Sequence, residues 1–245
     1  MELSAYLEMA SLENSHWWFV GRRQVLDAVI KSLRLNEGAR ILELGAGTGG
    51  NYELLTRHGA VTAVEMNDIA RTIFQNHAQN ADVRPGMLPD HLPLEPDETF
   101  DLICMLDVLE HIEDDFETLR LVKTKLRPGG FLLITVPAYK MLFGPHDVAH
   151  HHKRRYEYAE LRERLIAAGF AVDKLSFMNM SLLPVALAAR AVDKIFKLKK
   201  GSGSGMPSAS LNKLLGGVFG AEAWIVPKMN LPCGLSLLAV AKAAD

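Results

Sequence analysis

Residues Ile41–Gly50 read ILELGAGTGG, a run of β-formers that breaks into four glycines within six positions. A strand that ends in glycines and then opens a helix lets backbone N–H groups approach a ligand closely. Few folds make such a turn, and most are built from strand–helix–strand units. The rest of the chain agrees. Ala39–Leu44, Val61–Glu65, Phe100–Met105 and Phe131–Val136 are short β-rich runs, separated by helical segments at Gly50–His58, Asp68–Gln79 and Asp114–Lys125. That alternation predicts right-handed crossovers and a parallel sheet. The near-continuous apolar strands predict a sheet covered on both faces.

Two helical patterns precede the sheet, at Leu3–Glu13 and Gly21–Leu35; in the second, Val25, Leu26, Val29, Ile30 and Leu33 recur at helical spacing. After Pro137 come a polar, His-rich loop, a helix at Glu157–Ala168 stopped by Gly169, and strands at Phe170–Phe177 and Ser236–Lys242. Between those strands lie an apolar, basic-ended helix (Ser181–Leu198), a GSGSG hinge (Gly201–Gly205) and a short helix near Leu211–Phe219. At 245 residues this is one large domain with an elaboration. Hydrophobic residues make up 49% and the net charge is −2, which excludes global disorder. A sequence pI of about 6.5 argues against a basic nucleic-acid binder. Two cysteines, Cys104 and Cys233, form no disulfide framework and suit a reducing, cytoplasmic setting. The opening residues predict no signal peptide, and no apolar run reaches the roughly 18 residues of a membrane span.

Gly45, Gly47 and Gly50 satisfy G-x-G-x-x-G, so a nicotinamide-dependent oxidoreductase stays open, as does a tight turn with no ligand. Glu43 discriminates between ligands: two residues before the turn, its carboxylate repels a pyrophosphate and attracts an ammonium group. Glu65 closes the next strand twenty residues after Gly45, where an acid can take both ribose hydroxyls. A nucleoside with a cationic amino-acid end fits both acids, and S-adenosylmethionine is such a ligand.

With Glu43, Gly45, Gly47, Gly49 and the strand-end Glu65 in place, the chain resembles the class I S-adenosylmethionine-dependent methyltransferases. LPLEPDETFDLICMLDVLEHI, LRPGGFLLITVP and LRERLIAAGFAV extend the likeness in order from about residue 38 to 177. It is similar to the small-molecule, type 11-like branch that includes the quinone-biosynthesis O-methyltransferases, and more so to a group sharing HWWF-x-GRR and H-x-RRY. The resemblance implies an α/β fold: a seven-stranded Rossmann-like sheet whose last strand is antiparallel. It places a helical lid at 1–37, the core at 38–177, a helical insertion at 178–233 and the final strand at 234–245. It implies cofactor contacts from Glu43, Gly45, Ala46, Gly47, Gly49, Glu65, Met66 and Leu106. Many members carry Asp after the glycine of the third strand; here Met87 and Leu88 follow Gly86, so backbone N–H groups are expected to reach the adenine, with Met87 on its face.

Asp107, Glu110 and His111 follow the fourth strand, where the family places the reacting methyl. Some quinone O-methyltransferases use a similar Glu-x-x-Glu-His for a divalent cation; the expectation here is no metal, with Asp107 catalytic and His111 facing substrate. Gly144–Tyr156 holds His146, His150, His151 and His152. Its place at the carboxyl ends of the strands assigns it to the acceptor pocket. His146 and His152 are the candidate bases, and Arg154, Arg155 and Tyr156 the candidate acceptor contacts. A polar loop capping the next helix is the plain alternative. In His16–Phe19 the aromatics suit a lid, with Trp18 over the cofactor and Arg22 on its carboxylate.

The expected activity is transfer of a methyl group from S-adenosylmethionine to a small-molecule or lipid-linked acceptor, at oxygen. The rivals are an NAD-dependent oxidoreductase and a non-catalytic binding module. No nucleic-acid partner is expected. The apolar, basic-ended helix leaves room for peripheral contact at the inner membrane face or for a homodimer.

Overall fold

The computed structural model describes residues 3–188 and 206–244. Strands β1 (Arg40–Leu44), β2 (Ala60–Glu65), β3 (Asp82–Pro85), β4 (Phe100–Leu106), β5 (Leu126–Pro137), β6 (Phe170–Met178) and β7 (Ser236–Ala243) form one sheet in the order β3-β2-β1-β4-β5-β7-β6. All pairings are parallel except those of β7 with β5 and β6. The expected α/β sheet with an antiparallel last strand is what forms. Its central strands carry the fully buried Ile41, Leu42, Ile103, Met105, Leu133 and Ile134. The order reverses between β1 and β4, so the crevice beyond their carboxyl ends is where this architecture receives ligands.

Helices α3 (Tyr52–Thr56), α4 (Asp68–His77), α5 (Asp115–Thr124) and α7 (Tyr158–Ala167) fall within the expected segments, whereas α6 (Pro145–Ala149) forms inside the stretch expected to be a polar loop. Strand β5 starts five residues before the expected Phe131, because the turn at Gly129 (φ +77°) is absorbed as an irregularity in the ladder with β4.

The two ends of the chain differ from expectation in what they cover. Helix α1 (Leu3–Leu12) and helix α2 (Trp17–Leu33) do not act as one lid. α2 is a core helix that buries Val25, Leu26, Val29 and Ile30 completely. It begins at Trp17, a turn before the expected Gly21, because His16 caps it: its Nδ1 accepts from the Trp18 N–H at 3.3 Å. Helix α8 (Ala209–Gly220) packs across α2, and a Cβ at Gly21 would lie only 2.8 Å from the Phe219 side chain. Phe219, Val226 and Leu231 belong to the main core, so this part of the insertion is packed in place. The buried Glu222 fastens it to the end of β6 by accepting from the Asn179 N–H at 2.6 Å and the Ser181 N–H at 3.1 Å. The basic-ended helix is seen at residues 183–188; its remainder and GSGSG lie outside the described residues. No helix among the described residues is long and apolar enough to cross a membrane.

Candidate functional site

β1 runs straight into the glycine turn. Gly45 has φ +68°, and a Cβ there would meet Val108 at 2.6 Å, so both conformation and space demand glycine. Four of the turn's N–H groups are committed within the protein. Gly45 and Ala46 donate to the Val64 carbonyl at 2.8 and 3.1 Å, Gly49 donates to Ala46, and Gly47 donates to Glu65 Oε2 at 2.9 Å. So engaged, these four are not available to a dinucleotide pyrophosphate.

The acids sit where a cation would be welcome. Glu43 is 1% exposed; its Oε1 accepts from Asn51 Nδ2 at 2.9 Å, while Oε2 has no hydrogen-bond partner. Burial pushes its pKa up to about 7, against the pull of Asn51 and Arg22. A buried, unsatisfied carboxylate oxygen at a glycine turn fits the ammonium end of an amino-acid ligand. Glu65 holds both backbones in place: Oε2 takes Gly47 and Oε1 takes the Asn67 N–H at 2.8 Å. Each oxygen retains a lone pair for a ribose hydroxyl.

α1 lies over this turn. Tyr6 is buried, with its phenol pushed up to about 12 by burial and by the charge of Glu65. Met9 Cε lies 3.2 Å from where a Cβ on Gly47 would be, and Glu13 Oε2 accepts from the Thr48 hydroxyl at 2.7 Å. The expected lid at 1–37 contains these three residues, but the sequence singled out only His16–Phe19 and Arg22 within it, because the contacts of Tyr6, Met9 and Glu13 are long-range.

Other expected cofactor contacts flank the crevice. Met66 and Met87 are exposed, Leu88 is half-buried and Leu106 is buried. The Met87 N–H is committed to the His91 carbonyl at 2.8 Å, which removes it as an adenine donor and corrects that expectation. Trp18 lies with its ring 5.1 Å from the Arg22 guanidinium carbon. Arg22 itself is buried, 2.5 Å from Asp107 Oδ2, and donates to Thr135 Oγ1 at 2.9 Å. It therefore balances the acids at the ends of β1 and β4, a different engagement from the expected free carboxylate clamp. Asp107 adopts φ +59°, turning the chain out of β4.

On the acceptor side the histidines separate. His146 is exposed on α6, with its ring 6.4 Å from that of His152. His152 Nδ1 lies 2.9 Å from Asp147 Oδ1, and its ring meets His111 edge to face at 4.7 Å. His111 is driven down to about 4, chiefly by burial and then by His152. Glu110 is fully buried with neither oxygen hydrogen-bonded, and burial together with Asp107 raises its pKa well above the ordinary carboxyl value. The expected acceptor contacts are otherwise engaged. Arg155 donates to Asp147 at 2.7 Å and to the Ala138 carbonyl. Arg154 reaches Glu113 and Asp115, and the Tyr156 hydroxyl donates to Asp115 at 2.7 Å. All three brace the loop that presents the histidines.

Glu110, His111 and His152 offer ligand-type atoms within 4.8 Å of one another, a spacing that could also hold a cation. Asp107, the first acid of the local Asp-x-x-Glu-His, is taken by Arg22, which leaves such a set short of an anionic ligand. Asp147 went unnoticed in the sequence although Gly144-x-x-Asp147 carries the spacing of a capping box.

A family model described as a methyltransferase domain matches residues 19–175. The ubiquinone biosynthesis O-methyltransferase of Xanthomonas euvesicatoria pv. vesicatoria is 30% identical over 196 residues, covering 70% of this chain and 82% of that protein. Among solved structures, an S-adenosylmethionine-dependent methyltransferase from Clostridium acetobutylicum ATCC 824 superposes with a TM-score of 0.59 at 12% identity, covering 91% of this chain and 92% of that one. One from Archaeoglobus fulgidus gives 0.55 at 18% identity, covering 90% and 94%. At such identities these structures speak for the fold alone.

Proposed function

The chain belongs to the methyltransferase-domain family and is an S-adenosylmethionine-dependent methyltransferase, and from that premise we propose that its acceptor is a small or lipid-linked molecule methylated at oxygen. The observation that carries the assignment to oxygen is the 30% identity, over most of its length, to a protein named for O-methylation in ubiquinone biosynthesis. The four glycine-loop N–H groups already engaged within the protein, with the buried Glu43 beside them, argue against the oxidoreductase alternative.

The residues present fit the cofactor. Glu43, with its unsatisfied Oε2, would hold the ammonium end and Glu65 the ribose, with Gly45, Ala46, Gly47 and Gly49 letting the ligand lie close. When bound, S-adenosylmethionine supplies an electrophilic methyl on a sulfonium. The chain's own task is to bring an acceptor oxygen in line with that carbon, which accounts for much of the acceleration in such reactions. Leu106 ends β4, and Asp107, His111 and the loop Gly144–Tyr156 stand beyond β4 and β5, where the acceptor would enter. Trp18 and α1 would keep water out.

A lipid-linked acceptor also suggests where the enzyme works: in the cytoplasm, touching the inner membrane face. Exposed Leu214, Trp224 and Met229, with Lys213 and Lys228 near them in the chain, support that reading. The test is incubation with methyl-labelled S-adenosylmethionine and a panel of dihydroxybenzoates and prenylated phenols. Mass spectrometry that places the label on phenolic oxygen supports the proposal, and label confined to nitrogen or carbon overturns it.

A further inference from the structure

We propose that Asp147 and His152 form a dyad in which His152 Nε2 takes the proton of the acceptor hydroxyl and Asp147 is the positioning residue. This rests on the methyl-transfer reading above and deepens it. Asp147 is fully buried in α6, and its two oxygens have separate duties. Oδ2 accepts from the Gly144 N–H at 2.8 Å, which caps the helix. Oδ1 accepts from Arg155 Nε at 2.7 Å and also lies 2.9 Å from His152 Nδ1. Capping accounts for the first oxygen and the loop-bracing Arg155 for one contact of the second, which leaves the contact with His152 to be explained.

The second oxygen sets a tautomer. Although burial opposes ionisation, hydrogen bonds from His152 and Arg155 hold Asp147 well below the usual carboxylate range, so it can only accept. The proton on the contact therefore belongs to Nδ1, so in the neutral ring Nε2 is the nitrogen that carries the available lone pair. The groups around the His152 ring are Asp147 on one side, His111 and Glu110 on another, and His146 and His150 at ring distances of 6.4 and 6.0 Å. Arg155 acts through Asp147. Glu110 is fully buried beside the ring, with neither oxygen hydrogen-bonded.

In the transfer, the acceptor oxygen bonds to the methyl carbon and its O–H proton passes to Nε2. The carbon–sulfur bond breaks with its electron pair kept by sulfur, leaving a neutral thioether. The imidazolium, stabilised by Asp147, then returns its proton to solvent at the exposed loop. The logic is that of a base oriented by a buried acid.

Asp147→Asn tests it with methyl-labelled S-adenosylmethionine and 3,4-dihydroxybenzoate as the probe. The amide can donate to Nδ1 and reverse the tautomer. The expected result is a fall in kcat of about 100-fold or more, with acceptor KM within about threefold and S-adenosylhomocysteine affinity within about twofold. Combining Asp147→Asn with His152→Gln should cost no more than His152→Gln alone, because the pair acts as a unit. Nitrogen NMR of the unsubstituted protein is independent of any variant's folding. A protonated Nδ1 and an unprotonated Nε2 are expected at His152, and the opposite pattern overturns the dyad. So does wild-type turnover that Asp147→Asn leaves intact, or turnover abolished by a chelator, which would hand the cluster to a cation. Absence of methyl transfer to any acceptor by the unsubstituted protein would instead sink the reading beneath it.

Discussion

Arg22 Nη2 stands 2.5 Å from Asp107 Oδ2, joining the second turn of α2 to the residue that leaves β4. The pair sits between the glycine turn and the acceptor loop, and the same guanidinium lowers the pKa of Glu43. Removing it strands two acids at once. Arg22→Met should cost about 3 kcal/mol of folding stability, at the low end for breaking a buried pair because Asp107 keeps some exposure. Urea unfolding would show a lower midpoint at an unchanged slope; an unchanged midpoint would contradict this.

Glu65→Ala should weaken S-adenosylhomocysteine binding at least tenfold, equivalent to about 1.4 kcal/mol. The variant loses the ribose acceptor and also frees the Gly47 and Asn67 N–H groups it now holds. Titration calorimetry decides, and unchanged affinity would move the ribose elsewhere.

The buried Glu43 and the half-buried His111 give opposite pH dependences. Glu43 titrates near 4.5 unfolded and about 7 folded, so the native state holds a proton that the unfolded chain lacks. Its share of stability is present below about 4.5 and is lost as pH rises to about 7. His111 titrates near 6.5 unfolded and about 4 folded; its share is present above about 6.5 and lost as pH falls toward 4. Each is worth on the order of 3 kcal/mol, at about 1.4 kcal/mol per pH unit across its interval. The effects oppose each other between about 4.5 and 6.5. Glu43→Gln should therefore gain stability relative to wild type as pH rises, and His111→Gln as pH falls. Thermal melts of the three proteins at pH 4.5 and 7 check the signs, and differences independent of pH would refute both.

Vesicle sedimentation tests the membrane contact. Anionic liposomes should pellet the protein at low salt and release it at high salt, with Trp224→Ser pelleting less. If nothing pellets at low salt, the contact is wrong.

The sheet could be read from the chain because each strand carries its own signal: an apolar run bounded by turn residues. The β1 glycine turn and Glu65 were legible for the same local reason. Contacts that join distant segments left no such trace. Asn212 Oδ1 accepts from the Trp17 N–H at 2.8 Å across 195 residues, and nothing in either neighbourhood announces it. Arg22 read as a free clamp because Asp107 is far away in sequence. Arg154, Arg155 and Tyr156 read as acceptor contacts because exposure cannot be judged from a polar run; folding turned them onto Asp115 and Asp147. Asp147 escaped notice beside four histidines that drew attention to themselves.

Tyr6, Met9 and Glu13 lie over the turn that Glu65 holds, and the expected consequence is kinetic: a ligand reaches Glu65 as they withdraw. Its observed association rate should then climb with concentration only until helix departure becomes limiting, and level off there. The same gate retains the spent thioether after transfer. Stopped-flow mixing of S-adenosylhomocysteine with the chain from residue 14 onward should show a rate that stays linear and a shorter residence time. Turnover in the full chain would then be paced by product leaving, with chemistry waiting on the door.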